Sequence, residues 1–151
     1  MTIPVTRFNL RVYALIMHSD MILLADETIN NFSFTKFPGG GVEYGEGLAD
    51  ALRRELVEEG HIEVKGMRHF YTTDFFQQSA FSEADQIISV YYHVEADIPW
   101  QEITSDQSLP GKEHSVRLYF HPLNEVTEGK LTFPIDKHVL GLLKQDIAQK
   151  K

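Results

Sequence analysis

The chain has 151 residues, of which 42% are apolar and 24% are charged, proportions typical of a globular protein that buries one core. A formal net charge of −8 argues against binding a long nucleic acid, although a bound cation can reverse the sign locally for a small phosphate ligand. The absence of cysteine excludes disulfides, cysteine–zinc sites and a thiol nucleophile, and the lack of a signal-like or membrane-spanning apolar run predicts one cytoplasmic domain, 1–151, without a membrane partner.

Short extended segments are predicted for the first part of the chain. Apolar residues dominate 9–17 and 21–25, and the polar stretch His18-Ser19-Asp20 between them is typical of a turn. Phe32, Phe34 and Phe37 alternate toward a run of glycines, which predicts a short strand leading into that run.

A glycine-rich turn followed at once by a helix is predicted next. Residues 37–46 read Phe-Pro-Gly-Gly-Gly-Val-Glu-Tyr-Gly-Glu, and 46–59 contain no proline and mostly good helix formers. Ala49, Leu52 and Leu56 fall on one stripe of that helix, which we expect to face the core. We expect the helix to end in a left-handed conformation, which Gly60 can supply and which His61 tolerates better than most residues do.

The rest of the chain predicts further strands and a closing helix. Extended segments are expected at 62–64, 67–76, 86–95 and 115–120, with loops at 77–85 and 96–112. Apolar residues recur at helical spacing from Ile135 to Ile147, and Pro134 with Asp136 suits a helix start. Strands around one inner helix, closed by a C-terminal helix, predict an α/β fold whose sheet is covered on both faces.

Three glutamates form an acidic cluster near the end of the first helix. Glu55, Glu58 and Glu59 stand at i, i+3 and i+4, and Arg54 lies one turn before Glu58. Carboxylates so close together repel one another, and the negative end of the helix dipole adds to the cost. The cluster is either a solvated acidic face or a set of ligands for a divalent cation.

The register of these residues is similar to the signature of the Nudix hydrolases. The matching positions are Gly40, Glu46, Arg54, Glu55, Leu56, Glu58, Glu59 and Ile62. One position departs, because His61 stands where the family has glycine, and Gly60 comes one residue early. The resemblance implies a Nudix-type α/β/α sandwich with a mixed β-sheet.

The resemblance also implies roles for individual residues. Glu55, Glu58, Glu59 and the backbone carbonyl of Gly40 would bind Mg²⁺ or Mn²⁺, Arg54 would orient the carboxylates, and Glu46 would support Arg54. Relatives often recruit a further carboxylate from a later loop as ligand or general base. Our candidate is Glu113, and its competitors are Glu95, Glu102 and Asp106.

The implied activity is hydrolysis of a diphosphate linkage in a nucleoside diphosphate derivative, with water attacking phosphorus. The residues that distinguish the dinucleotide and ADP-ribose subfamilies are absent near Gln77 and Gln78. A nucleoside triphosphate or a nucleotide sugar is then the expected substrate by elimination. The alternative is a non-catalytic Nudix module that binds a nucleotide metabolite or a protein partner, and a homodimer is possible.

Aromatic residues that would stack on a base, or else belong to the core, are Tyr13, Phe34, Phe75, Phe76, Phe81 and Trp100. Among the histidines, only His114 merits a test, because it adjoins Glu113.

Overall fold

The computed structural model describes residues 4–98, 103, 106–108 and 114–150. The strands of this part of the chain are β1 (Arg7–Leu15), β2 (Met17–His18), β3 (Met21–Ile29), β4 (Phe32–Lys36), β5 (Gly39–Gly41), β6 (Glu63–Thr72), β7 (Asp85–Asp97), β8 (Asp106–Ser108) and β9 (His114–Pro122). Helix α1 spans Leu48–Gly60 and helix α2 spans Pro134–Gln149. Within these residues, neither helix is long and apolar enough to cross a membrane.

The strands form two sheets with both parallel and antiparallel pairs. One sheet has the order β5-β1-β7-β6, in which β1 and β7 run parallel. The other has the order β2-β3-β9-β8, with β4 paired antiparallel to β3. The mixed sheet expected from the sequence is therefore confirmed.

Alternation along β1 places the two helices on opposite faces. Tyr13 and Leu15 enter the apolar cluster that contains the buried side of α2, whereas Val12 and Ala14 enter the cluster that contains the buried side of α1. Successive side chains of a strand point to opposite faces, so one strand supplies both cores. This layering confirms the α/β/α sandwich.

The glycine-rich turn predicted before α1 is wrong in its conformation. The glycines of β5 pair with β1 in extended register, Gly39 opposite Tyr13 and Gly41 opposite Arg11. A Cβ on Gly39 would lie 2.1 Å from the carbonyl oxygen of Val12, so glycine is required there because the two backbones approach closely. The turn itself comes later, at Tyr44 and Gly45.

Helix α1 differs from the prediction at both ends. It begins at Leu48 and not at Glu46, whose backbone N–H bonds the Glu43 carbonyl in a turn. Its left-handed terminal residue is His61 (φ 54°, ψ 35°), while Gly60 stays helical, so of the two residues expected to take this conformation it is His61 that does. Gly60 has another reason to be glycine, since a Cβ there would lie 2.5 Å from Leu118 Cδ1.

The later strands are longer or more continuous than the sequence indicated. The two expected segments, 62–64 and 67–76, largely merge into one strand, β6, which begins at Glu63 and ends at Thr72, short of the expected residue 76. The register of β6 shifts between Val64 and Gly66 and again between His69 and Tyr71. Such irregularities interrupt the period-2 pattern, which explains why one strand read as two. Helix α2 begins at Pro134 as predicted.

Candidate active site

The backbone of β5 lies against the last turn of α1. Gly39 N–H donates a hydrogen bond of 3.0 Å to Oε1 of Glu59. At Gly40, a Cβ would lie 2.6 Å from the carboxyl carbon of Glu55, so the lack of a side chain lets that carboxylate rest on the strand. The three glycines therefore bring main chain within reach of two of the three clustered glutamates.

Arg54 organises the acidic residues around it. Its Nε and Nη2 donate to the two oxygens of Glu46 at 2.6 and 2.8 Å, a bidentate pair, and Nη2 also donates to the Gly41 carbonyl at 2.9 Å. Nη1 donates to Glu55 at 3.0 Å and to Glu58 at 3.3 Å. The bonds from Arg54, with one from the Glu43 N–H, lower the pKa of Glu46 to about 2. These contacts agree with the orienting role expected of Arg54 and the supporting role of Glu46.

The three glutamates differ sharply in their surroundings. The side chain of Glu58 is 55% exposed and that of Glu55 is half-buried, whereas Glu59 is only 4% exposed. The three carboxylates that were predicted to share one face thus range from exposed to buried. Among the residues that the structure describes, no three His, Asp or Glu side chains converge closely enough to hold a metal ion as they stand.

Glu59 carries an open acceptor inside the protein. Its Oε1 accepts from Gly39 and lies 3.6 Å from Nζ of Lys36, but the buried Oε2 has no hydrogen-bond partner within the described part of the chain. Burial raises the pKa of Glu59 to about 7, even though Lys36 pulls it down. A buried carboxylate oxygen without a donor is expensive unless a cation or ligand satisfies it.

These features fit the divalent metal that the resemblance implies. Carboxylate and carbonyl oxygens are the ligands of Mg²⁺ and Mn²⁺. The unsatisfied Oε2 of Glu59, the half-buried Glu55 and the bare backbone at Gly40 supply such oxygens next to one another. Glu58 is held at 3.3 Å by the same nitrogen of Arg54 that bonds Glu55.

A buried ionic network behind Glu59 was not predicted. Lys36, 2% exposed, lies 3.3 Å from Glu27 Oε1 and donates to the Gly39 carbonyl at 2.9 Å. Glu27 is buried too, and its Oε2 lies 2.7 Å from Nε2 of His114. The sequence did carry a signal, because strand alternation from Phe34 places Lys36 on the same inward face.

A cavity of about 450 Å³ opens beside this network. Phe34, Phe81 and Phe133 form an aromatic wall on one side, with Phe34 ring centroids 5.5 Å from Phe81 and 5.2 Å from Phe133. Lys36 lines the cavity as well as contacting Glu59, so the cavity and the carboxylates are neighbours. Further polar lining residues are Asn9, Arg11, Glu27, Gln77, Gln78, Ser79, Ser82, Asp85, Ser89 and Asp136.

The remaining candidates are placed differently. Glu113, Glu102 and Trp100 lie outside the described residues, and Asp106 is described only as part of β8. Glu95 is exposed on β7 and lines a separate depression with Met67. Among the aromatic candidates, Tyr13 and Phe34 are buried and line the cavity, Phe81 lines it while largely exposed, and Phe75 and Phe76 are exposed.

The chain matches one protein family and is similar to known protein structures. A family model, the NUDIX domain, matches residues 7–141, and a search of curated proteins finds no match. The structure is similar to the solution structure of the E. coli ORF135 protein, with 24% identity, a TM-score of 0.64 and coverage of 93% of this chain and 91% of that one.

Two further solved structures share the fold. One, from work on MutT of Aliivibrio salmonicida and Vibrio cholerae, has 24% identity, a TM-score of 0.62 and coverage of 94% of this chain and 98% of the other. A MutT NUDIX hydrolase from Burkholderia pseudomallei has 17% identity, a TM-score of 0.67 and coverage of 89% and 96%. The family model, the mixed sheet between two helices and the Arg54-centred carboxylates agree, and the chain belongs to the Nudix hydrolase family.

Proposed function

We propose that the protein is a metal-dependent pyrophosphohydrolase that cleaves a diphosphate linkage in a nucleoside diphosphate derivative, either a nucleoside triphosphate or a nucleotide sugar. The observation that carries the proposal is Glu59. A carboxylate that is 4% exposed, with one oxygen lacking a hydrogen-bond partner among the described residues, lies near Glu55 and contacts Lys36, which lines a cavity of nucleotide size. A purely structural acid in that position would be expected to have both oxygens satisfied.

Within this proposal, Glu55, Glu58, Glu59 and the carbonyl of Gly40 hold Mg²⁺ or Mn²⁺. The bound ion supplies charge neutralisation at the phosphate oxygens and polarises a water for attack on phosphorus. Arg54 keeps Glu55 and Glu58 close to β5, since it bonds both of them and the Gly41 carbonyl. Glu46 in turn fixes the guanidinium through two hydrogen bonds.

The cavity is the proposed site of the nucleoside. Its aromatic wall offers stacking surface for a base, which is sequence-tolerant and contributes about 1–3 kcal/mol per stacked base. Phe81 is suited to this role because it lines the cavity while 57% of it is exposed and free to be covered by a ligand. Glu113 remains our candidate for the general base, on the segment that precedes β9.

A substrate panel tests the proposal. Nucleoside triphosphates, nucleotide sugars and dinucleoside polyphosphates are incubated with the protein and either Mg²⁺ or Mn²⁺, and the products are separated by ion exchange. Reaction in ¹⁸O-labelled water then shows by mass spectrometry whether the label enters the phosphate product, as attack on phosphorus requires.

We expect metal-dependent turnover of at least one triphosphate or nucleotide sugar, with ¹⁸O in a phosphate group. Turnover that persists in excess EDTA would contradict the metal dependence. Failure to turn over any member of the panel, with tight binding of a nucleotide and of Mn²⁺, would replace the enzyme by the non-catalytic Nudix module. Turnover of dinucleotides alone would overturn the substrate class and keep the chemistry.

A further inference from the structure

Lys36 is the least expected residue of the site. It is 2% exposed, and burial of a lone ammonium is unfavourable unless opposite charges surround it. Two carboxylates do so, Glu27 at 3.3 Å and Glu59 at 3.6 Å. The Nζ also donates to the carbonyls of Gly39 and Phe37, at 2.9 and 3.4 Å. The ammonium is therefore held in one position by four oxygen-bearing groups.

The ammonium of Lys36 is balanced by the two buried carboxylates beside it, Glu27 and Glu59. The face of the Tyr13 ring, with its centroid 5.6 Å from Nζ, adds a weaker attraction. The site thus contains an internal cation next to its most buried carboxylate.

We propose that Lys36 is the resident counter-cation of Glu59 and that its charge lowers the affinity of the carboxylate cluster for a divalent ion. The inference rests on the proposed function, because it concerns the metal of that same site. Lys36 acts on Glu59 from the interior, whereas the unsatisfied Oε2 is the oxygen left for a ligand. Two cations that share one carboxylate repel each other, and charges a few ångströms apart inside a protein interact by several kcal/mol.

A purely structural lysine would behave differently. Removing it would destabilise the metal-free and the metal-bound protein alike, and it would leave metal affinity unchanged or weaken it. A counter-cation stabilises mainly the metal-free protein, because only there is Glu59 without another positive partner. Its removal should therefore lower the melting temperature in EDTA and increase the stabilisation gained on adding metal.

The test compares Lys36→Met, which keeps the length of the side chain and removes the charge, with Lys65→Met. Lys65 is a matched control, since it also bridges two carboxylates, Glu63 and Asp97, but on the exposed surface of β6. Mn²⁺ binding is measured at about pH 8 from the electron paramagnetic resonance signal of free Mn²⁺, and thermal melting is measured in EDTA and in saturating Mn²⁺.

For Lys36→Met we expect Mn²⁺ to bind about fivefold tighter or more, with a lower melting temperature in EDTA and a larger shift on adding Mn²⁺. Lys65→Met should match the unaltered protein in all three measurements. Unchanged or weaker Mn²⁺ binding by a folded Lys36→Met variant overturns the inference and leaves the proposed function intact. Absence of Mn²⁺ binding by the unaltered protein overturns both.

A second comparison covers the case in which Lys36→Met does not fold. Glu27→Gln keeps a group that can bond His114. Relative to the unaltered protein, the double variant Glu27→Gln with Lys36→Met loses an ion pair, which is less destabilising than the loss of one buried charge. The double variant should bind Mn²⁺ tighter than Glu27→Gln alone by a similar factor. Equal affinities of these two proteins would also overturn the inference.

Discussion

Two buried carboxyl groups at the two ends of the site show how similar burial leads to different roles. Glu59 lies in the last turn of α1 and Asp136 in the first turn of α2, with exposures of 4% and 3%. Burial raises the pKa of Glu59 to about 7 and that of Asp136 to about 6. The helix dipole favours an acid in the first turn and disfavours one in the last.

The partners of the two groups separate them further. Tyr91 donates a hydrogen bond of 2.5 Å to Asp136. Neither carboxylate oxygen of Asp136 is buried without a partner among the described residues. Glu59 has a cation beside it and still leaves Oε2 unsatisfied. Burial alone therefore does not distinguish the two acids, whereas an unsatisfied oxygen and an unfavourable helix dipole single out Glu59 as the acid that we propose to bind metal.

The largest expected effect comes from Gly40→Ala. The new Cβ would lie 2.6 Å from the Glu55 carboxyl carbon, so the carboxylate must move away from β5. We expect kcat/KM with Mg²⁺ to fall by about 100-fold or more, since a small misplacement of a ligand disturbs the whole reacting geometry. Steady-state kinetics with the substrate found in the panel measures it.

Gly41→Ala is the matched control on the same strand. Its Cβ would meet only Nη1 of Arg11, at 3.7 Å, an ordinary contact. A similar loss of activity in both variants would show that β5 tolerates no side chain for general reasons, and would contradict the special position of Gly40.

Arg54→Lys should have the next largest effect. A lysine cannot reproduce the two parallel bonds to Glu46 while bonding Glu55 and Glu58, because its three donors lack the planar fork. We expect kcat to fall by about 10–100-fold, as for other groups that orient metal ligands. The guanidinium of Arg53 makes one long hydrogen bond, to the Val64 carbonyl, so the Arg53→Lys variant should retain the kcat of the unaltered protein. Equal kcat values for the two variants would exclude the orienting role.

Asp136→Asn sharpens the comparison through pH. The pKa of this carboxyl rises from 3.8 to about 6 on folding, so the folded protein holds a proton that the unfolded chain releases in that window. The contribution of Asp136 to the free energy of unfolding is therefore highest below pH 3.8 and falls as the pH rises. The full loss of stability is reached above about pH 6. The asparagine variant, which can still accept from Tyr91, lacks this deficit.

We expect the free energy of unfolding of Asp136→Asn to exceed that of the unaltered protein above pH 6, by an amount on the order of 2 kcal/mol. The advantage should shrink as the pH falls toward 4. Urea unfolding in EDTA across this range measures the difference. An advantage that grows toward low pH would reverse the sign and refute the assignment.

The smallest effect concerns the residue that ends α1 just beyond Glu59. His61 has φ 54°, a conformation that favours glycine, so His61→Gly should stabilise the protein by about 0.5–1 kcal/mol. Gly60→Ala should instead destabilise it by about 1–3 kcal/mol, because the Cβ would lie 2.5 Å from Leu118. Thermal melting of both variants checks the opposite signs. A stabilising Gly60→Ala would contradict the close approach of Leu118, and a destabilising His61→Gly would contradict the left-handed conformation of His61.

Periodicity and motif register made much of this architecture predictable. The apolar stripe containing Leu52 and Leu56, the strand-forming residues of β7 and the start of α2 at Pro134 are local signals, and the structure confirms each. The arrangement of Arg54 with Glu46 was predictable because seven residues separate them in a recognised order. Their two hydrogen bonds agree with it.

The ionic network depends on strand pairing, which the sequence does not reveal. Lys36 and Glu27 meet because β3 and β4 pair with Glu27 opposite Phe34, which makes the lysine a diagonal neighbour. His114 reaches Glu27 by the same diagonal relation across β3 and β9, where Glu27 lies opposite Val116. Register of this kind is a tertiary property, so strand alternation could place Lys36 on the inward face but could not identify Glu27 and Glu59 as its partners.

The most direct test of the central claim, that Glu59 is the open carboxylate and Asp136 the satisfied one, is a Mn²⁺ titration of Glu59→Gln and Asp136→Asn. We expect Glu59→Gln to weaken Mn²⁺ binding by a factor on the order of 100, because a neutral amide is a poor substitute for a carboxylate ligand. Asp136→Asn should bind Mn²⁺ like the unaltered protein. Undiminished Mn²⁺ binding by Glu59→Gln, or an equal loss in both variants, would contradict the claim.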